Sequence, residues 1–381
     1  MDRVAQNSIR TYCFVTNLSF SEEPTVKNRL MPYIEQAIGK GFNVILVTSD
    51  SKPVNGFDGR FFSHILQPCQ AKRPRSFFKR AIYEWIEAKK ILKSISELDV
   101  EAVIITIPSM FLLFRASLLK NKKLFLDVRD LTWEYLPSSK PVQFVAKVIL
   151  RVLAGTSLKF FSSIAVTNGS EIEYFKRKNI RALLYSNGVT SQQFSDLTAI
   201  TRKTSERFTV SYVGKVGMAQ NLETLVLAAE ILKNVKFNIV GDGPEYAKLR
   251  GLVLEKKLKN IFIHGNVNWE SVVNFYQESD VLYAQLKSNY SGAMPSKLYQ
   301  YLNASRFIVY GGGDQAGKTL SIFENNIVIP PDNVSELVNA IKEAKRLCGK
   351  NLCFESNMKI INNNYIREES AGNVLQEWSE L

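Results

Sequence analysis

Apolar, β-branched runs alternate with amphipathic helical stretches from one end of the chain to the other. In the first half the runs are residues 11–16, 43–48, 102–106, 124–127, 164–167 and 181–185. In the second half they are 208–213, 236–240, 261–264, 281–284, 307–310 and 327–329. Most are continuous rather than alternating, as strands buried on both faces are. Helix-length segments separate them, so the pattern predicts parallel sheets wrapped by helices. About twelve strands are more than one sheet holds comfortably. Two doubly wound, Rossmann-like α/β domains are therefore expected.

The turn signal Ser186-Asn187-Gly188-Val189 marks the expected boundary. The domains are read as 1–187 and 188–354, followed by a C-terminal helix over 355–381 that returns to the first domain. Residues 190–207 are polar, without clear periodicity.

The length of 381 residues, 45% of them hydrophobic and 22% charged, suits two full cores and argues against wholesale disorder. Residues 1–10 hold no apolar stretch of signal length, and 102–114 reads as a buried strand running into a helix rather than a membrane span. The cysteines Cys13, Cys69, Cys348 and Cys353 form no C-x-x-C pair, and only His64 and His264 could join them. Buried free thiols are expected, with no metal site and no cofactor.

Charge changes the picture more. The net charge is +13, and residues 1–187 hold 28 Lys/Arg against 16 Asp/Glu, or +12. A basic half suggests nucleic acid, an anionic membrane surface or a phosphorylated substrate. No nucleic-acid motif is visible. The basic segment 71–80 leads into a helix reaching about residue 98. On that helix Phe78, Ile82, Trp85, Ala88, Leu92 and Ile95 share a face expected to pack on the sheet. Lys79, Lys90 and Lys93 share another with Tyr83 and Ile86, which suits an anionic headgroup layer.

Four segments of the second half could carry chemistry. In Tyr212-Val213-Gly214-Lys215-Val216-Gly217 a strand ends in glycines before a helix, a geometry that lets a backbone approach a phosphate. Ile239-Val240-Gly241-Asp242-Gly243-Pro244 repeats that architecture one unit later, at the sheet edge where ligands bind. Residues 291–302 run from small residues into a helix bearing Ser296 and Lys297 in its first turn. A bound anion would relieve the unfavourable placing of a lysine there, and Gln300, at i+3, is expected to face the same cleft. Residues 312–319 match the Walker A pattern G-x-x-x-x-G-K-[ST]. Only one clear strand follows, so ATP binding is not expected there. In the first half, Asp127, Arg129 and Asp130 end an apolar strand in a set of charges suited to a cleft. His64 is read as structural.

With these residues the chain resembles the large retaining glycosyltransferase family 4 (GT4), of GT-B fold, and most of all its bacterial O-antigen and capsule branch. The resemblance is carried by residues 212–225, 239–244, 261–267, 279–286 and 293–313, with 186–189 similar to the interdomain linker and 126–131 to the first-domain active-site strand. It implies two Rossmann-like domains facing a central cleft. It implies a nucleotide-sugar in the second domain: the diphosphate against Gly214–Gly217, with Lys215 and Lys297 as cationic partners, the base at Gly265 and Asn266, and the ribose at Gln300. The backbone of Gly292, Ala293 and Met294 would lie near the donor sugar, with Gly241, Asp242, Gly243 and Ser296 lining the site. Asp130, Arg129 and Lys297 are the catalytic candidates. Where many members carry two glutamates eight apart, this chain has Gly292 and Gln300. Met218 and Gln220 stand where a basic residue is common, and Arg129 where a His is common. These departures bear on the donor-sugar contacts more than on the nucleotide contacts.

The function expected is transfer of a sugar, from a donor that is UDP-linked, to a lipid-linked acceptor with retention of configuration. The protein would act in the cytoplasm, peripherally on the inner face of the cytoplasmic membrane. A GT-B sugar-nucleotide epimerase or hydrolase, and a non-catalytic sugar-nucleotide-binding partner, are the alternatives.

Overall fold

The structure, a computed structural model, describes residues 10–67, 77–135, 141–201, 206–290, 294–350 and 352–381. The chain divides into two compact units, residues 1–186 with 367–381, and residues 187–366.

The first unit runs β1 (Thr11–Val15), α1 (Pro24–Gly39), β2 (Asn43–Thr48), β3 (Phe62–Leu66), α2 (Phe77–Ser96), β4 (Ala102–Ile107), α3 (Met110–Phe114), β5 (Lys123–Val128), α4 (Thr132–Tyr135), α5 (Pro141–Ser157), β6 (Ser163–Val166), α6 (Gly169–Lys176) and β7 (Ala182–Leu184). Its sheet is parallel throughout, in the order β3-β2-β1-β4-β5-β6-β7. Parallel strands need crossovers, and the helices supply them on both faces. One face buries Ala88, Leu92, Leu113, Trp133 and Phe175 from the helices α2 to α6. The other buries Leu30, Tyr33 and Ile34 of α1.

The second unit runs α7 (Ser191–Thr198), β8 (Thr209–Val213), α8 (Glu223–Ile231), β9 (Lys236–Val240), α9 (Tyr246–Glu255), β10 (Ile261–Gly265), α10 (Trp269–Glu278), β11 (Val281–Gln285), α11 (Lys297–Asn303), β12 (Phe307–Gly311), α12 (Asp314–Leu320), β13 (Asn326–Ile329), α13 (Val334–Cys348) and α14 (Glu355–Asn364). Its strands, also all parallel, follow the order β10-β9-β8-β11-β12-β13. Helix α15 (Arg367–Glu380) belongs to the first unit, where it packs on α1. Its Trp378 stacks on Phe125 with centroids 4.7 Å apart and on Tyr33 at 5.6 Å.

All twelve apolar runs form strands, within two residues of their expected ends. Strand β3 is an addition. It sits at the sheet edge and carries Ser63 and His64, so its apolar signal is thin. The polar stretch after residue 190 contains α7, set by a capping box between Thr190 and Gln193. The single helix expected over 355–381 is two. Tyr365 leaves helical geometry at φ −132°, and Val189 pairs with Ile366 in an isolated bridge, so α14 stays in the second unit and packs on α11.

Helix α2 also departs from expectation. Ala88, Leu92 and Ile95 are buried, but Ile82 and Trp85 are exposed, because only the C-terminal half of that face reaches the core. The side chain of Phe78, and Lys72, Arg73 and Arg75 of the basic segment, lie outside the described residues. Cys13 and Cys348 are buried and in no disulfide, Cys353 is exposed, and Cys69 is outside the described residues. No described helix is long and apolar enough to cross a membrane.

Candidate functional site

In an open parallel sheet the chain leaves a crevice where the strand order reverses, at the carboxyl ends of the strands. In the second unit that point lies between β8 and β11. The turn after β8 is Gly214–Gly217, and the connection after β11 leads to Lys297.

The glycine turns are fastened to one another. Gly214 donates its N–H to Val240 O at 2.8 Å, Val216 to Asp242 O at 2.9 Å, and Gly241 to Gly265 O at 2.7 Å. Gly241 (φ +134°) and Gly243 (φ +157°) take backbone angles that side chains avoid, and a Cβ on either would overlap the carbonyl of Gly214 or Val216. These two glycines are therefore explained by the approach of one loop to the next. Asp242 accepts from the N–H of Gly243 at 2.7 Å and holds the same turn. The result is a cleft that brings together Gly214, Lys215, Gly241, Asp242 and Asn266, floored by Val213, Val240, Val267 and Val272. Lys215, Asp242 and Asn266 are exposed, and Gly265 is partly so.

Lys297 opens α11 and reaches back to β8. Its ammonium lies beside the Gly214 turn, since a Cβ on Gly214 would stand 2.9 Å from Nζ. Nζ donates to the hydroxyl of Tyr212, which itself donates to Lys215 O at 2.5 Å. One turn on, Tyr301 takes the N–H of Val213 at 2.8 Å and donates to its carbonyl at 3.0 Å. Helix α11 is thus tied to the last two residues of β8. The residue as a whole stays partly accessible, but protein surrounds the ammonium. Loss of hydration brings its pKa down to about 7. Burial pushes the Tyr212 phenol well up, so it stays neutral. Among the described residues no carboxylate pairs with Lys297, which leaves a cation poised for an anion.

The remaining candidates are distributed around this centre. Met294 is buried in the apolar cluster beneath α11, and Ser296 is exposed. Gln300 does not join Lys297: its Oε1 accepts from Tyr276 of α10 at 3.0 Å. The i+3 spacing put both on one side of the helix, but α10 supplied Gln300 with a nearer partner. Gly217 is buried and its carbonyl accepts from Gln220 N–H at 3.1 Å. Gly292 and Ala293 lie outside the described residues.

In the first unit the charged strand end divides into two roles. Asp127 is fully buried and forms a bidentate pair with Arg29 of α1, with Nε 3.0 Å and Nη2 2.6 Å from Oδ1. Arg29 also donates to Tyr185 O at 2.6 Å and stacks 3.6 Å over the Tyr185 ring. Arg129 and Asp130, beyond the strand, are half-buried. Burial raises the pKa of Asp130, while Arg129 and Arg29 oppose that shift. Burial likewise lowers that of Arg129. Glu171 of α6, which the sequence did not single out, lies close by. Burial lifts its carboxyl to about 7, the bonds from Thr167 N–H and Oγ1, each 2.9 Å, oppose this, and the Asp130 charge adds to it. The signal available was only an acidic residue in the first turn of a helix behind Asn168. Arg29 was more legible, as a lone cation in an apolar stripe with Val26, Leu30 and Tyr33.

His64 does have partners, though distant in sequence. Its Nδ1 accepts from Val54 N–H at 3.0 Å, which leaves Nε2 protonated toward Thr48 Oγ1 at 2.7 Å. Thr48 passes a 2.5 Å bond to Asp50, which also accepts from Ser19 Oγ and from the N–H groups of Phe20 and Ser21. Burial pushes the Asp50 carboxyl up, but these donors outweigh it and hold it well below the usual range. The chain of bonds pins the loop after β1 and is structural.

The Walker-like segment forms no phosphate cradle. Gly317, Lys318 and Thr319 lie inside α12, Thr319 Oγ1 donates to Gln315 O at 3.1 Å, and Lys318 is exposed.

Residues 194–366, most of the second unit, match the family model described as glycosyl transferases group 1. No curated protein matches the chain. Among solved structures, sucrose-phosphate synthase from Thermosynechococcus elongatus is similar over 97% of this chain and 98% of its own, at 15% identity and a TM-score of 0.74. A UDP-forming trehalose-phosphate synthase from Burkholderia xenovorans is similar over 98% and 99%, at 11% identity and 0.73. HepE of Anabaena, solved in complex with UDP-glucose, is similar over 97% and 100%, at 13% identity and 0.68. The fold is GT-B, with two Rossmann-like units, and the matches together support a glycosyltransferase.

Proposed function

We propose that the chain moves a sugar from a UDP-linked donor to a lipid-linked acceptor in bacterial surface-polysaccharide assembly, of the O-antigen, lipopolysaccharide or capsule kind, with retention of configuration. It works peripherally on the inner face of the cytoplasmic membrane. The observation that carries the donor half is the Lys297 ammonium, unpaired by any described carboxylate and set against the Gly214 turn at the switch point of the second sheet. A nucleoside diphosphate suits that place, and the similarity to HepE with UDP-glucose supports a UDP donor.

The chemistry asks for charge stabilisation of a leaving diphosphate. Lys297 and Lys215, with the N–H groups of the Gly214–Gly217 turn, serve the developing charge. The sugar C1–O bond to the phosphate breaks as a bond from C1 to the acceptor oxygen forms on the same face. The acceptor proton passes to the departing phosphate oxygen. Asp130 and Arg129 of the first unit orient the acceptor, and Gln300 contributes a neutral hydrogen bond to the ribose. Gly265 and Asn266 hold the base.

The test offers a panel of nucleotide-sugars with a membrane lipid extract and reads products by mass spectrometry. A lipid heavier by one sugar residue is expected with a UDP-sugar. Release of free sugar or an isomerised UDP-sugar without acceptor would instead favour a hydrolase or epimerase.

A further inference from the structure

Helix α5 turns an apolar face to solvent. Phe144, Val145, Val148, Ile149, Val152 and Leu153 are each between 39% and 60% exposed. They recur at i, i+1, i+4, i+5, i+8 and i+9, one continuous stripe on the helix, while Ala154 on the other side is buried in the core. A stripe of this kind on a folded chain marks an interaction surface rather than scattered apolar residues. Helix α2 packs on the same short helix, α3, and leaves Ile82, Trp85 and Ile86 exposed as well. The Trp85 ring carries the Arg115 guanidinium 3.8 Å from its centre.

Charge selects the occupant. Residues 141–160 contain no acidic residue. Arg151 is already paired with Glu134 of α4, while Lys159 is exposed just past the helix, in a half of the chain, residues 1–187, that carries a net +12. A second copy docking by two-fold symmetry would set this basic half of the chain against itself. An anionic headgroup layer would neutralise it. At 17 residues, with one side committed to the core, α5 is too short and too one-sided to span a bilayer. It has the form of a helix lying in the interface plane.

We propose that α5 inserts this stripe into the headgroup–acyl boundary of an anionic bilayer, with the exposed apolar residues of α2 entering beside it. The inference rests on the membrane reading above and deepens it by naming the surface and the force. Apolar insertion is the main term, and the basic excess of the first half of the chain selects anionic lipid.

The test is flotation of the purified full chain with phosphatidylcholine vesicles, with and without phosphatidylglycerol, at low and high salt. The wild-type chain binds the anionic vesicles, and a large part of that binding survives high salt. Joint replacement Val145→Gln, Ile149→Gln and Val152→Gln lowers vesicle affinity by more than about tenfold, since each apolar side chain leaving water contributes on that order. These side chains are exposed, so the variant keeps its melting temperature; Val152→Glu alone serves if it does not. Equal binding by wild type and variant overturns the α5 assignment and leaves the membrane reading standing. No binding of the wild type to anionic vesicles overturns both. A wild-type dimer that the triple variant dissolves, seen by light scattering, identifies a second copy as the occupant and overturns the proposal.

Discussion

The ammonium of Lys297 lies 3.8 Å from the centre of the Tyr212 ring and donates to the hydroxyl of the same ring. A phenol brings no opposing charge to the ammonium, so an anion bound here would favour its protonated form. Replacing Lys297 by Ala is expected to weaken UDP binding or lower kcat by about 1–3 kcal/mol, the range of a charge-assisted bond. Gln300→Ala should cost less, because its bond is neutral. Calorimetric titration with UDP measures both. Unchanged affinity and turnover in Lys297→Ala would remove the diphosphate from this helix.

The same burial makes stability depend on pH. Lys297 titrates near pH 7 in the folded chain, against an ordinary value of 10.5. Below about pH 7 both folded and unfolded chains carry the charge, and the fold bears the full cost of burying it. Between the two values the unfolded chain binds the extra proton, so this cost is relieved as pH rises. Without nucleotide, Lys297→Met should therefore raise the melting temperature most near pH 6, with the gain shrinking toward pH 10. A gain that is constant across this range would mean that the ammonium stays hydrated.

Arg29 and Asp127 form the buried ion pair of the first unit, 3% and 0% exposed. Asp127→Ala leaves the guanidinium uncompensated and should destabilise by about 3–5 kcal/mol. Asp127→Leu combined with Arg29→Met should recover much of that loss, because two apolar groups leave no orphaned charge. Urea unfolding of the three proteins decides this. A single variant no less stable than the double one would show that water reaches Arg29.

Lys318 lies on a formed helix, away from any phosphate cradle. Thermal-shift measurements should show protection by UDP and little by ATP. Lys318→Ala should leave the UDP effect unchanged. Strong protection by ATP that disappears in Lys318→Ala would restore the Walker reading.

The candidate site was legible in part. Gly214, Gly241 and Lys297 stand out locally, since glycines after an apolar run and a lysine at a helix start carry their own signals. Their attachments do not. Tyr212 is 85 positions from Lys297, and Asp127 is 98 from Arg29. Nothing in a linear pattern joins such pairs. Spacing also could not show that Gln300 Oε1 accepts from Tyr276, which belongs to another helix.

The sequence by itself determined the alternation of buried strands and helices, the parallel sheets that follow from it, and the carboxyl-edge turns. Periodicity and turn chemistry act between near neighbours, so a single chain displays them. Tertiary structure alone decided which charges are structural and which remain available, why Gly241 and Gly243 must be glycine, and which half of α2 is buried. It also left the apolar stripe of α5 facing outward. Those outcomes depend on which surfaces meet when distant segments pack, and apolar residues bound for a core look the same in sequence as those left for a partner.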